Sequence, residues 1–422
     1  MLAGKSHDVK VKDDKGKEVT QKRQYCIRAK MDMQNKVKCL RDPVLYRCKD
    51  EKHHRTGDKY KAYPTYDLTC PVVDSIEGVT HALRTIEYRD RNALYAWVQE
   101  SLGLRKVVIY DFSKLNLTKT VLSKRKLRWF VDEGHVDGWN DPRFPTVQGI
   151  MRRGMTTVAL RNFMLEQGAS QKNNFMEWDK IYALNKQIID PIVPRYTAIA
   201  KDTAVKLTIT NGPDKPEAVM KELHNKNTAL GNKPVMRGKN LLIERNDAKE
   251  FKEGQKITLM KWGNVTIDKI KQSKSGDLEL EGTYDPDDQD FKKTTKITWL
   301  CNDPNTTMEV KFIEFDHLIT KDKIEETDAV ENLVNKNSKL EKTLICEALV
   351  RNLPKGTNFQ FERMGFMFVD QIELVNQPCI VHFVPDGKEK KISGEKDMVQ
   401  KKDKVEKKEI VPAGEDGKLS KK

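Results

Sequence analysis

The sequence predicts a multidomain protein, α/β in its first part and all-β in its second. Three observations carry that reading. The chain has 422 residues, more than one ordinary hydrophobic core organises, so roughly two to four domains are expected. Near residue 107 a helix-period pattern runs directly into a short apolar run, Val107-Val108-Ile109-Tyr110, and strand following helix is the grammar of a parallel sheet. Beyond Pro191 and Pro194 the helical period disappears, and short alternating runs separated by turn residues take its place, as in antiparallel barrels.

Along the chain, residues 1–23 are charged throughout and lack the apolar stretch of a signal peptide, so a disordered N-terminus is expected there. Residues 24–60 are basic and irregular, with a turn at Arg55-Thr56-Gly57. In residues 61–112, Asp90 is placed to cap a helix through Leu94, Trp97, Val98 and Leu102, with Gly103 as its stop. Residues 113–200 read as helices. Ser123 precedes Leu127, Phe130 and Val131; Thr146 precedes Val147, Ile150 and Met151, with Gly154 as a stop; Thr156 or Thr157 precedes Leu160, Phe163 and Met164, with Gly168 as a stop. Residues 201–385 carry the alternating runs, at 204–210, 256–260, 264–267, 296–300 and 366–369. In the Lys-rich tail, 386–422, apolar content is too low to offset ordering entropy, and disorder is expected.

Composition narrows the partners. Lys and Arg number 77 against 63 Asp and Glu, a net charge of +14, which favours a nucleic acid over an acidic protein or a membrane surface. No apolar run approaches the ~18 residues of a membrane span. The seven cysteines are scattered without a CxxC pair, so neither a disulfide framework nor a structural zinc site is expected, and the chain reads as cytoplasmic.

The most informative stretch is Val121-Leu122-Ser123-Lys124-Arg125-Lys126. Three cations and a hydroxyl at a helix start present donors and partial positive charge to a polyphosphate; a solvated helix start is the plainer reading. Upstream lie Ala62-Tyr63-Pro64-Thr65-Tyr66-Asp67, Cys70-Pro71 and Gly78-Val79-Thr80-His81-Ala82-Leu83-Arg84-Thr85-Ile86-Glu87. Downstream lie Asp141-Pro142-Arg143-Phe144-Pro145 and Arg152-Arg153-Gly154. This ordered set resembles the second half of a class I glutamyl- or glutaminyl-tRNA synthetase of the archaeal and eukaryotic lineage, from about residue 24 to about residue 386.

The resemblance implies the C-terminal half of a Rossmann-type catalytic domain, a helical stem-contact domain and a two-barrel anticodon-binding region. It makes residues 121–125 (Val121, Leu122, Ser123, Lys124 and Arg125) a KMSKS-type ATP-binding loop. Lys124, with Ser123 beside it, would meet the charge that builds on departing pyrophosphate. Glu87 matches a position near the ATP, against the plainer reading of an ion pair with Arg89 or Arg91. Ala62, Tyr63, Pro64, Thr65 and Tyr66 match the strand lining the glutamate pocket, with the Tyr66 hydroxyl available to substrate. Arg84 stands where glutaminyl enzymes carry a cysteine, and its guanidinium suits a γ-carboxylate; the alternative is an ion pair with Glu77 or Glu87. Cys70 supports the glutamyl side, and Leu68 is a mild departure from the pattern. His81 is given no catalytic role. Arg143, Arg152 and Arg153 fall in the stem-contact region as tRNA-phosphate ligands. ATP with Mg2+, L-glutamate and tRNA(Glu) are the implied substrates; membership of a multi-synthetase complex is left open.

A full synthetase of this class opens with a HIGH motif, which this sequence lacks, so the resemblance implies an N-terminally truncated enzyme. The expected function is glutamate–tRNA ligation, inactive in this chain alone. The alternatives are a glutaminyl enzyme and a non-catalytic tRNA-binding fragment.

Overall fold

The computed structural model describes residues 6–12, 16–49, 51–273, 277–325 and 327–388; the expectation of a disordered tail falls almost wholly outside them. The chain divides into two compact units. One holds residues 1–115 and 167–174, the other residues 116–166 and 175–422.

The first unit opens with a correction. Where disorder is expected, strands Ser6–Lys12 and Glu18–Gln24 pair antiparallel, with Val11 opposite Val19. Charge hides the signal, but Val9, Val11 and Val19 are the half-buried positions between exposed neighbours, a strand's period of two. Three short antiparallel strands follow, Cys26–Arg28, Val44–Cys48 and Ala62–Pro64. The last runs through Thr65 into helix Tyr66–Ile76. Strand His81–Thr85 then pairs in parallel with Val108–Phe112, Arg84 lying opposite Asp111. The expected strand at 107–110 is thus present, shifted toward its C-terminal side.

Between those strands lie a 3-10 turn, Ile86–Arg91, and helix Asn92–Ser101. Asp90 is not its cap, because the chain is already turning from Ile86 and no side chain caps Asn92. Gly103 does close it, at φ +64°. Gln99, buried on this helix, ties the layer together. Its Nε2 donates to the Pro71 carbonyl at 3.1 Å, and its Oε1 accepts from the Val107 amide at 3.1 Å.

In the second unit, helices Lys124–Asp132, Val147–Arg152, Thr157–Gln167 and Trp178–Ile189 precede the sheets. Two starts match the sequence: Thr146 Oγ1 accepts from Gly149 N, and Thr156 Oγ1 from Ala159 N. The stops Gly154 and Gly168 have φ +88° and +64°.

Both sheets have seven strands. One runs, in spatial order, Thr295–Ile297, Lys256–Leu259, Gly263–Gln272, Leu278–Asp285, Ala204–Ile209, Asn240–Glu244, Trp299–Cys301. Its two edge strands are separated in sequence by Thr298 alone. The other runs Arg195–Tyr196, Asn358–Phe361, Gly365–Gln371, Cys379–Val384, Thr307–Phe315, Lys339–Glu347, Ala198–Ala200, and Thr197 alone separates its edges. Edges one residue apart force each sheet to curl into a barrel-like form. The expected pairing is corrected in part, since each sheet contains two parallel pairs among its antiparallel ones. Those pairs come from crossovers that alternation along single strands does not report. The second sheet also begins at Arg195, inside the segment expected to be helical.

Buried aliphatics, among them Leu207, Ile209, Leu241, Ile257, Val265 and Ile297, fill the first sheet. Tyr196, Val310, Phe359, Phe361, Val369 and Val381 fill the second. Against the second core lies a buried ion pair. Lys233 Nζ is 2.6 and 2.8 Å from the Glu347 carboxylate oxygens and 2.8 Å from the Arg195 carbonyl. Burial pushes the Lys233 pKa down, against the pull of Glu347. Glu347→Leu should therefore lower the unfolding free energy by about 3–5 kcal/mol in urea titrations, by stranding the ammonium. Adding Lys233→Met should recover most of that loss.

His317 yields a pH dependence. Burial, with the charge of Arg153, pushes its pKa down to about 4, below the ordinary ~6.5. The unfolded chain binds the extra proton between those values, so this contribution is whole above about pH 6.5 and is lost as pH falls through about 4. The urea midpoint should drop across that window, and His317→Asn should flatten part of the drop.

Candidate substrate pocket and phosphate loop

Arg84 leaves the strand His81–Thr85 half-buried and meets aromatic rings instead of acids. Its guanidinium carbon lies 5.5 Å from the Tyr66 ring centre, 5.0 Å from Tyr88 and 5.3 Å from Tyr95. No carboxylate stands within ion-pair distance of it among the described residues, so neither Glu77 nor Glu87 pairs with it. Ring faces attract a cation without neutralising it. The site therefore holds a formal positive charge, with planar forked donors, that a carboxylate can satisfy bidentately.

Tyr66 opens its helix with the ring half-exposed and the hydroxyl beside Cys70, one turn on, a contact that raises the Tyr66 pKa. Thr65 sits at the N-cap but turns its hydroxyl to the Val44 carbonyl, 2.9 Å away. Tyr63, Pro64, Thr65 and Tyr66 line an open cavity of about 550 Å³, with Arg47 and His53. The Tyr63 hydroxyl is buried without a hydrogen-bond partner among the described residues. Ala62 pairs with Cys48 and supports this wall from the strand behind. Glu87 is exposed, 3.8 Å from Lys114. The partners considered for it are engaged elsewhere, Arg89 with Asp111 and Arg91 with Asp67. His81 is exposed, and its ring contacts only the neighbouring Thr80 hydroxyl.

The predicted phosphate loop lies in the second unit. Val121 is buried with Leu127 and Phe130 against Leu318, Ile319 and Val330, which fixes the start of the helix. Beyond Val121, Ser123, Lys124 and Arg125 are exposed. Ser123 occupies the N-cap position, yet its hydroxyl makes no capping bond, and the first-turn amides stay open to an anion. The approach to the loop is tightly held: Lys119 adopts φ +51°, its amide donates to the Asp322 carbonyl at 2.9 Å, and Trp178 Nε1 donates to Thr120 Oγ1 at 2.8 Å. Lys126 turns away, toward the carbonyls of Glu325 and Asp328.

The three arginines expected to hold tRNA phosphates have internal partners instead. Arg143 donates to both oxygens of buried Asp141, to Ser338 Oγ and to the His135 carbonyl, and its side chain is 9% exposed. Arg152 forms a bidentate pair with Asp370 at 2.6 and 2.7 Å. Arg153 donates to the Phe315 carbonyl at 2.7 Å and covers the Tyr182 ring. Their donors are spent on contacts within the second unit, those of Arg152 and Arg153 on the second barrel.

Sequence reasoning missed Tyr88, Tyr95 and Asp74. Tyr88 follows Arg84 by one turn, and the position of Tyr95 at the core face of its helix was the available signal; Asp74 carried none. The Tyr95 hydroxyl donates to Asp74 Oδ2 at 2.7 Å.

Comparison with known proteins accords with this layout. Residues 4–191 match the catalytic domain of the class I tRNA synthetases (E and Q), and residues 193–285 and 296–370 match two anti-codon binding domains of the same group. The chain is 48% identical to the cytoplasmic glutamate–tRNA ligase of Arabidopsis thaliana over 87% of its own length and 51% of that protein. It is 46% identical to the Saccharomyces cerevisiae cytoplasmic glutamate–tRNA ligase over 88% and 52%. Against the bifunctional glutamate/proline–tRNA ligase of Mus musculus it is 45% identical over 89% and 25%. It thus spans about half the length of the cytoplasmic relatives and a quarter of the bifunctional one. With three consecutive domain matches covering most of its length, the chain belongs to the class I tRNA synthetases of the glutamyl and glutaminyl group.

Proposed function

We propose that this chain supplies the amino-acid pocket, the pyrophosphate-side loop and the anticodon-binding barrels of a glutamate–tRNA ligase working in the cytoplasm. The observation that carries the proposal is Arg84, a guanidinium enclosed by three rings with no acid to neutralise it. An amide in place of the substrate γ-carboxylate would leave that charge unsatisfied, and a stranded buried charge discriminates by several kcal/mol.

In the reaction, the substrate α-carboxylate attacks the ATP α-phosphorus and the bond to pyrophosphate breaks. The terminal ribose hydroxyl of tRNA(Glu) then takes the acyl group from AMP. Lys124 and the free Ser123 hydroxyl, at the open end of their helix, meet the charge gathering on the pyrophosphate; Val121, Leu122 and Arg125 shape and charge the loop around them. Mg2+ bound to ATP would supply charge shielding of its phosphates. Glu87 and the pocket residues 62–66 orient the substrates.

A second reading, a tRNA-binding module without chemistry of its own, is favoured by one feature of the first unit. Its parallel sheet has two strands, and Leu83, Val108 and Tyr110 are 68%, 56% and 44% exposed on one face. Parallel sheets are ordinarily covered on both faces, so further chain is needed there to complete an ATP site.

Two outcomes test the proposal. L-glutamate should slow the reaction of Arg84 with phenylglyoxal, followed by peptide mass mapping of this chain, whereas L-glutamine should not; equal effects of the two would remove the glutamyl assignment. In a chain carrying the rest of the catalytic domain, Lys124→Ala should lower glutamate-dependent ATP–pyrophosphate exchange by about 10²–10³-fold while leaving that protection intact.

A further inference from the structure

Four acids on the elements around Arg84 each have another partner. Asp111 lies opposite Arg84 in the parallel register; its Oδ2 takes Asn92 Nδ2 at 2.9 Å and Arg89 at 3.5 Å, while its buried Oδ1 has no hydrogen-bond partner among the described residues. Asp67 is bound by Arg91, and Glu87 stands 3.8 Å from Lys114. Asp74, on the helix beneath, accepts the Tyr95 hydroxyl at 2.7 Å, while the face of that same ring is turned to the guanidinium. Tyr95 is 3% exposed, so this ring is fixed by packing and has one hydroxyl partner.

We propose that Tyr95 is a specificity-positioning residue: its hydroxyl holds the Asp74 carboxylate while its ring seats Arg84, so that Arg84 stays uncompensated and selects a carboxylate ligand. The inference rests on the proposed role of Arg84 for its purpose, and on the geometry alone for the pairing itself. An arginine meant for a carboxylate substrate must be held in place without an internal acid, because such an acid would compete for the same fork. Aromatic faces position the cation and leave its charge standing. The phenol adds what a phenylalanine would not, a donor that keeps the acid beneath the pocket occupied. Asp74 is the acid tied to the ring box itself, through the Tyr95 hydroxyl.

The test is a double-mutant cycle read on the unliganded chain. Phenylglyoxal attacks the uncharged guanidine, so an ion pair with a carboxylate slows it. The Arg84 rate is measured by mass mapping in wild type, Tyr95→Phe, Asp74→Asn and the double variant. Arg105, which donates to the Val79 carbonyl at 2.6 Å, reports in each digest that the unit is folded. Tyr95→Phe keeps the ring and releases Asp74, so the Arg84 rate should fall several-fold. Adding Asp74→Asn removes the released charge, and the rate should return to that of Asp74→Asn alone. An unchanged or faster rate in Tyr95→Phe overturns the proposal, as does a double variant as slow as Tyr95→Phe, since loss of ring placement alone would give that. Because no amino acid is present, failure here is distinct from failure of glutamate to protect wild-type Arg84.

Discussion

A sheet whose two edge strands follow one another in the chain cannot lie flat. Both barrels of the second unit are built on that constraint, closed through Thr197 in one and Thr298 in the other. Around Thr197 the closure is also electrostatic. Its amide donates to Glu347 Oε1 at 2.9 Å, its carbonyl accepts from the Glu347 amide, and Lys233 neutralises the same carboxylate. The buried pair thus sits where the two ends of the sheet meet and where backbone groups would otherwise be orphaned. Helix Val147–Arg152 is tied to this barrel in turn, through Arg152 on Asp370 and Arg153 on the Phe315 carbonyl.

The first unit follows the opposite electrostatic rule. In the second unit Arg143, Arg152 and Lys233 are paired with acids, whereas in the first the acids near Arg84 have other partners and Arg84 has no ion pair among the described residues. Arg91, Arg89, Lys114 and the Tyr95 phenol between them occupy four carboxylates. What remains beside Arg84 is ring surface.

Local signals were legible in the sequence. Thr146 and Thr156 cap their helices as read, Gly103, Gly154 and Gly168 terminate them, and the parallel strand after residue 107 is present. Tyr66 and Arg84, singled out together in the sequence, do come within 5.5 Å across the helix Tyr66–Ile76 and the strand that follows it. What failed was long-range. Asp370 lies 218 residues beyond Arg152, so nothing near Arg152 indicates that its fork is occupied, and an arginine among helices reads as a phosphate ligand. The hairpin of Ser6–Lys12 and Glu18–Gln24 failed for a different reason: two exposed faces full of lysine mask the three valines that set its register. Parallel pairs within the barrels are invisible for the same topological reason as the ion pairs.

The single-residue closures have a consequence in time. Thr197 and Glu347 are 150 residues apart, and the strand Arg195–Tyr196 finds its neighbour only at Asn358–Phe361. On a ribosome, the start of the second barrel emerges long before its partners, while the whole first barrel is synthesised in between. The strands 195–200 must wait with unpaired edges until the chain has passed residue 361. Non-local closure of this kind makes folding slow and leaves strand edges open to wrong neighbours. The barrel completed last in synthesis is thus also the one on which helix Val147–Arg152 rests, so its final placement comes at the end of folding.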